Sequence, residues 1–228
     1  GHVPIIIMIE IKDIDFFNTG TYVPIVPWQV EDYDRLDAEI RSVFPPEHLI
    51  TPDDVRGDFA TVEDAILTRG WPTLAETRGK VMFTLCNCFG DDRRRIDYEI
   101  GHENLEGRVI FPNSKPGNPD AAVLHLERPL PDFAEIQRLA ALGYFIRTRS
   151  DADTREAVAN DTSRSEAAFA SGSHYVATDF PEPSETAHPD YFVQVPGGTP
   201  AGCNPVTAPD WCTPQDIENP AHLAAGSL

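Results

Sequence analysis

The chain has 228 residues, of which 41% are hydrophobic and 24% charged, enough apolar material for one large domain with its own core. Eighteen Lys and Arg against 37 Asp and Glu leave a net charge of −19, which argues against nucleic-acid binding and against attraction to anionic membranes. No apolar run reaches the ~18 residues of a membrane span. The chain begins Gly1-His2 and enters a core strand almost at once, as expected of a processed product or a piece of a longer protein.

The first element is the strand Val3–Asp13, VPIIIMIEIKD. β-Branched Ile at this density favours an extended chain, and a run this apolar is expected to be buried on both faces of a parallel sheet. Side chains alternate along a strand, so Met8, Glu10 and Lys12 share one face and Ile7, Ile9 and Ile11 the other. Glu10 and Lys12 therefore leave the carboxyl end together, where ligands sit in α/β folds. They form either a buried ion pair or part of a ligand site; burial for stability alone gains little.

After a turn-rich loop over Asn18–Val30, Val30–Phe44 reads as a helix from Val30, Tyr33, Leu36, Ile40 and Val43, stopped by Pro45-Pro46. Thr51–Gly70 carries further helical turns, with a start at Thr61 and a stop at Gly70. Four more strands are expected at Lys80–Asn87, Arg108–Phe111, Ala121–Glu127 and Tyr144–Arg149, and a sixth at Tyr175–Asp179. A helix from Asp132 to Gly143 precedes the fifth strand, and Thr154–Gly172 is helical with a break near Asn160-Asp161 and a new cap at Ser163. Helical stretches between short apolar strands predict a parallel α/β sheet with right-handed crossovers. The segment from Pro181 to Leu228 is rich in Pro, Gly and Thr and reads as an irregular extension over residues 1–180, ending in a loose tail.

Several smaller signals have ordinary readings. His125 is expected to be a satisfied core histidine, and the run Asp91–Arg95 a solvated loop. Cys203 and Cys212 are placed to close a small disulfide loop, which suits a secreted protein. Cys86 and Cys88 are two apart on a strand and are not expected to bond each other. The two cysteine pairs also lack the usual spacing of a zinc site.

The stretches HVPIIIMIEIKD, GWPTLAETRGKVMFTL, GYFIRTRSDADTREA, GSHYVATDFP and CNPVTAPDWC, in this order, carry a family resemblance. The chain resembles the glycerophosphodiesterase and phospholipase C-like (β/α)8 TIM-barrel superfamily, and within it the calcium-dependent phosphoinositide phospholipase C family. Arg147-Thr148-Arg149-Ser150 favours the phospholipase C branch over the glycerophosphodiesterases. The resemblance implies a barrel with about six of its eight strands present. It also implies that the proton-transfer histidines and a Glu-x-Asp pair lie upstream of Gly1, so that this chain alone is inactive, marginally soluble through two unpaired strand edges, and without catalytic residues of its own.

The resemblance assigns Glu10 to calcium, Lys12 to a phosphate oxygen, and Arg147 and Arg149 to the phosphodiester or inositol phosphate. For the two arginines, salt bridges to neighbours such as Asp151 and Asp153 are the competing reading. Asp179 either orients these arginines or is structural. The implied cofactor is Ca2+, and the implied reaction yields a cyclic inositol phosphate and diacylglycerol. The implied protein is a secreted monomer making transient contact with a membrane surface. The competing functions are a metal-dependent glycerophosphodiester phosphodiesterase and a catalytically dead barrel that holds a phosphorylated polyol.

Overall fold

The computed structural model describes residues 1–12, 26–86, 92–183, 188 and 190–219. Seven strands lie within them: β1 Ile5–Glu10, β2 Leu49–Ile50, β3 Val81–Cys86, β4 Ile110–Pro112, β5 Val123–His125, β6 Phe145–Arg149 and β7 Tyr175–Ala177. Every pairing is parallel. β1 runs along the full length of β3, with Ile5 opposite Val81 and Glu10 opposite Cys86. The other edge of β3 takes the short β2 at Val81-Met82 and then β4 at Phe83–Leu85. A bridge from Asn113 to Val123 carries the sheet on to β5, and β6 and β7 follow. The six long runs read from the sequence thus line up in chain order as an arc of an incomplete (β/α) barrel.

The helices follow from their caps and apolar stripes. α1, Val30–Val43, buries Tyr33 and Ile40 and opens where the Gln29 N–H donates to the Asp32 carboxylate at 2.9 Å. α2 (Pro52–Arg56), α3 (Val62–Thr68) and α4 (Leu74–Thr77) each open on a threonine whose hydroxyl accepts a backbone N–H from the first turn. α5 is Arg93–Glu99 and α6 Phe133–Leu142. α6 ends at Gly143, where φ is +108° and a Cβ would sit 2.9 Å from the Ile66 carbonyl oxygen, so only glycine fits. α7 (Arg155–Ala159) and α8 (Ser163–Ala170) flank the expected break, where Asn160 adopts φ of 50°. The core lies between strands and helices, with Leu85, Ile110, Leu124 and Ile146 packed against Ile40, Val62, Ile66, Ile136 and Leu139. None of the helices among the described residues is long and apolar enough to cross a membrane.

Two expectations fail. β1 is not buried on both faces: Ile5 is 49% exposed and Ile6–Ile9 are half-buried. Among the described residues β1 pairs with β3 alone, so its far edge carries no strand. The described part of the Asp91–Arg95 run, Asp92–Arg95, is not a solvated loop either. Helix α5 begins at Arg93, and helical spacing puts Arg94 and Tyr98 on one face, both fully buried. Arg95 sits 3.2 Å from both Glu99 and Asp120. Asp91, Cys88 and most of the loop after β1 lie outside the described residues. Cys86 is disulfide-bonded.

The segment after β7 packs on this arc. Val193 N–H donates to the Phe180 carbonyl at 2.8 Å, and Tyr191 and Val193 pack against Ala157, Phe169 and Phe180. Asn204 Nδ2 donates to the Gly172 carbonyl at 2.8 Å. α9, Pro214–Ile217, reaches the start of β1, where the Val3 N–H donates to the Glu218 carboxylate and Arg78 donates to the carbonyls of Asp216 and Ile217. Cys203 and Cys212 are disulfide-bonded, with Cα atoms 6.1 Å apart. The bridge closes a loop of sequence separation 9. Replacing both cysteines by serine is expected to lower the unfolding free energy by about 2–3 kcal/mol in denaturant titration, on loop-entropy grounds.

His174 sets an acid limit on this fold. Its Nδ1 accepts the Ile146 N–H at 3.1 Å, its own N–H donates to the Ile146 carbonyl at 2.8 Å, and its ring stacks on Phe145. His174 is exposed at its outer side, and desolvation of the ring face stacked on Phe145 lowers its pKa to about 4, so the ring is neutral at pH 7. A folded pKa below the unfolded ~6.5 gives stability that is full above pH ~6.5 and lost as pH falls through 4; more than a third of the residue is exposed, so solvent screening keeps the contribution small. Thermal unfolding of His174→Gln is expected to depend less on pH over this window than that of the parent protein.

Candidate active site at the carboxyl ends of the strands

The register fixes which side chains share a face. Glu10 lies opposite Cys86, Met8 opposite Thr84 and Thr84 opposite Phe111. Asn113 lies opposite Val123, His125 opposite Arg147, and Arg149 opposite Ala177. Period-2 alternation then places Glu10, Asn113, His125, Arg147 and Arg149 on one face, and continues it to Glu127 and Asp179 just beyond β5 and β7. At the amino ends the face carries aromatics: Trp71 packs on Phe111 and Phe145 at 5.5 and 5.9 Å, and its Nε1 donates to the Gly143 carbonyl. At the carboxyl ends it carries charge.

The charged groups form two clusters. On β1, Lys12 Nζ lies 3.3 Å from Glu10 Oε2, with the side chains 67% and 31% exposed. This is an ion pair at an open strand end, not a buried one, and such pairs stabilise little. On β5–β7, Arg147 is buried and bonds the Glu127 carboxylate. Arg149 is one-third exposed and lies 3.1 Å from Asp179 Oδ2. The expected partners Asp151 and Asp153 do neither job. Asp153 pairs with Arg155 at 3.4 Å. Asp151 is fully buried and accepts from the Ser150 hydroxyl, the Thr178 hydroxyl and the Asp179 N–H, at 2.8, 2.5 and 3.0 Å. It ties the end of β6 to the end of β7 and so positions Asp179 against Arg149. Asp179 orients Arg149 alone.

Three contributors were missed or given another role in the sequence reading. Glu127 is one; the alternation His125-Leu126-Glu127 was the available signal. Asp151 is the second. The third is Arg164 on α8, whose guanidinium donates to the carbonyls of Arg149 and Glu127, at 3.1 and 2.7 Å, and to Glu156 at 3.1 Å. It holds the ends of β5 and β6 together, and a helix arginine carries no sequence mark of such a role. Burial pushes the Glu156 carboxyl up, but hydrogen bonds from the Ala152 N–H and Arg164 outweigh it and hold it below the usual range.

His125 is not the satisfied core histidine expected. Its side chain is 3% exposed, its backbone N–H is held by Asn113 Oδ1 at 2.9 Å, and neither ring nitrogen has a hydrogen-bond partner among the described residues. Burial, with the Arg147 charge, lowers its pKa to about 3.

A cavity of about 720 Å³ separates the two edges of the arc, lined by Val3, Pro4 and Ile6 on one side, His174–Val176 on the other, and the segment after β7. Calcium takes six to eight oxygen ligands. Glu10 is the right kind of donor at the right end of its strand. Among the described residues no group of three or more His, Cys, Asp or Glu is assembled that could hold a metal.

Comparison with known proteins follows this geometry. A calcium-dependent phosphatidylinositol-specific phospholipase C from Streptomyces antibioticus superposes with a TM-score of 0.51 at 20% identity, over 78% of this chain and 65% of that one. A calcium-dependent phosphoinositol-specific phospholipase C from a Pseudomonas species, solved as a myoinositol complex, gives 0.46 at 17% identity, over 65% of this chain and 52% of that one. The present chain thus spans about one-half to two-thirds of the length of these structures. The first likeness shows the fold, an α/β barrel of the phospholipase C type, present here in part. A search of curated proteins finds no match. The sequence model of the calcium-dependent phosphoinositide phospholipase C family matches residues 1–205, and the chain belongs to that family.

Proposed function

We propose that the full-length protein cleaves phosphatidylinositol-type phospholipids in a calcium-dependent reaction, releasing diacylglycerol and a cyclic inositol phosphate. The observation that carries this reading is the pair Arg149–Asp179, at the carboxyl ends of β6 and β7 and on the same face as Glu10 and Lys12. A guanidinium one-third exposed and aimed by a carboxylate suits a phosphodiester through paired N–H donors. Lys12, mostly exposed, supplies a second cation from β1. Glu10 would hold the calcium ion, which when bound supplies positive charge next to the phosphoryl oxygens.

In the step itself the 2-hydroxyl oxygen of the inositol forms a bond to phosphorus and loses its proton to a base. The bond from phosphorus to the glycerol oxygen breaks, and that oxygen takes a proton from an acid. Arg149 stabilises the charge that grows on the non-bridging oxygens. His125 does not serve as the acid, since its ring is neutral. Both proton transfers are assigned to histidines outside the described residues. The disulfides and the net charge of −19 support a secreted protein.

A substrate panel tests the reading. With calcium, the full-length protein should turn over phosphatidylinositol vesicles and leave phosphatidylcholine intact. Preference for water-soluble glycerophosphodiesters would favour the glycerophosphodiesterase alternative. Binding of these compounds without turnover would favour a catalytically dead barrel.

A further inference from the structure

We propose that Glu99 and Asp120 share one proton and, with Arg95, form a pH-sensitive latch at the junction between the two halves of the sheet. The junction is narrow. Among the described residues β1–β4 and β5–β7 are joined by one bridge, Asn113 to Val123. It is backed by the Ser114 N–H, which donates to the Val123 carbonyl at 3.0 Å, and by the His125 N–H, which donates to Asn113 Oδ1. The connection from β4 to β5 folds around Asp120, which is fully buried. The Ser114 hydroxyl donates to Asp120 Oδ1 at 2.9 Å, Asn118 Nδ2 donates to that hydroxyl at 3.2 Å, and the Ala121 N–H donates to the Asn118 carbonyl at 2.9 Å. From outside, α5 brings up Arg95 and Glu99. One Arg95 nitrogen lies 3.2 Å from Asp120 Oδ1 and 3.2 Å from Glu99 Oε2, so the three groups tie the helix to the connection.

Charge decides how the latch works. Two carboxylates face one guanidinium in a mostly buried pocket, so the ionised cluster carries one uncompensated negative charge, and a single proton brings it to zero. The neighbouring charged groups are engaged elsewhere. Lys115 is held by Asp92 at 2.9 Å, and the Glu63 carboxylate accepts from the Gly117 N–H and the Tyr144 hydroxyl. His102 bonds the Glu106 carbonyl through Nδ1 and turns Nε2 toward Asp34. With Glu103 and Glu99 it lines a cavity of about 560 Å³, through which Glu99 exchanges protons with solvent. Burial, and then the Asp120 charge, raise the Glu99 carboxyl to about 7 against the pull of Arg95. Protonated, Glu99 donates to Asp120 and closes the latch; ionised, it repels Asp120. Because the folded value lies above the ordinary 4.5, the latch stabilises the junction most below pH 4.5 and loses that contribution as pH rises through 7. Its release loosens the strand link between the half that carries Glu10 and the half that carries Arg149.

The test is NMR of the full-length protein between pH 5 and pH 9. The Glu99 carboxyl 13C resonance should titrate near pH 7, and Asp120→Asn, which removes the like charge, should move that midpoint down. Amide protection at Asn118 and Ala121, corrected for intrinsic exchange, should fall about tenfold from pH 6 to pH 8 as the proton is lost. In Glu99→Gln, whose neutral amide keeps a donor toward Asp120, the same protection should stay flat. If Glu99→Gln fails to fold, the titration and the protection of the parent protein decide. A Glu99 midpoint near 4.5, a midpoint unmoved by Asp120→Asn, or protection that stays flat in the parent or falls equally in Glu99→Gln would overturn the latch.

Discussion

Replacing Arg149 by alanine lowers phosphoinositide cleavage by the full-length protein roughly 30- to 1000-fold, the equivalent of about 2–4 kcal/mol of transition-state stabilisation. The size follows from the position. Arg149 is the last residue of β6, Asp179 holds it from β7, and Asp151 holds Asp179 in turn. Its guanidinium is therefore set before substrate arrives, and a preset donor acts on the charge that grows in the transition state. Calcium binding, followed by direct titration, should be unchanged in this variant. Glu10→Gln should do the reverse and raise the calcium concentration required, because it removes a charged oxygen donor. If Arg149→Ala kept its rate while Glu10→Gln lost it, the phosphate role of Arg149 would fall and the glycerophosphodiester reading would lead.

The largest loss of stability is expected from Arg108→Ala. Arg108 is 1% exposed. Its Nε donates to the Tyr98 carbonyl at 2.7 Å, and its terminal nitrogen lies 2.7 Å from Asp34 and 3.2 Å from Asp37. Its guanidinium carbon also sits 4.4 Å from the centre of the Tyr98 ring. The Tyr98 hydroxyl donates to Asp37 and accepts from the N–H groups of Val109 and Ile110, so one network ties α1, α5 and the start of β4. Burial already raises the Asp37 carboxyl above the usual range, held back by Tyr98 and Arg108. Removing the arginine leaves that carboxylate buried without its cation, at a cost of about 3–5 kcal/mol. The folded pKa of Asp37 then rises further, so the loss should be largest at pH 8 and shrink toward pH 5 as the carboxyl protonates. Chemical denaturation at the two pH values checks both size and sign. Equal losses at both would show that lost packing, not the stranded charge, dominates.

The sequence showed the strands better than it showed what surrounds them. Six apolar runs became β1 and β3 to β7 because a strand buried in a parallel sheet leaves a continuous apolar signature. β2, two residues long, carries too little pattern to be read. The apolar content of β1 gave a wrong burial, since composition reports the environment a strand is built for and not the edge it occupies among these residues. Asp91–Arg95 misled for a related reason: charge suggests solvent, but Arg94 lies on the buried side of a helix that begins at Arg93.

The site divides in the same way. That Glu10 shares a face with Lys12, and Arg147 with Arg149, was legible because period 2 on a strand needs no tertiary information. The partner of Arg147 was not, because Glu127 sits 20 positions away and reaches it only across the β5–β6 pairing. The clamps made by Asp151 and Arg164 depend on side chains crossing between elements, which no local pattern records.

The most direct test of the account is the phosphorus spectrum of the reaction. Full-length protein mixed with phosphatidylinositol vesicles and calcium should give a 31P resonance of a five-membered cyclic inositol phosphate, and excess chelator should suppress it. Unchanged turnover in chelator, or release of an acyclic glycerophosphoryl product with no cyclic intermediate, would contradict a calcium-dependent phosphoinositide cleavage centred on Glu10 and Arg149.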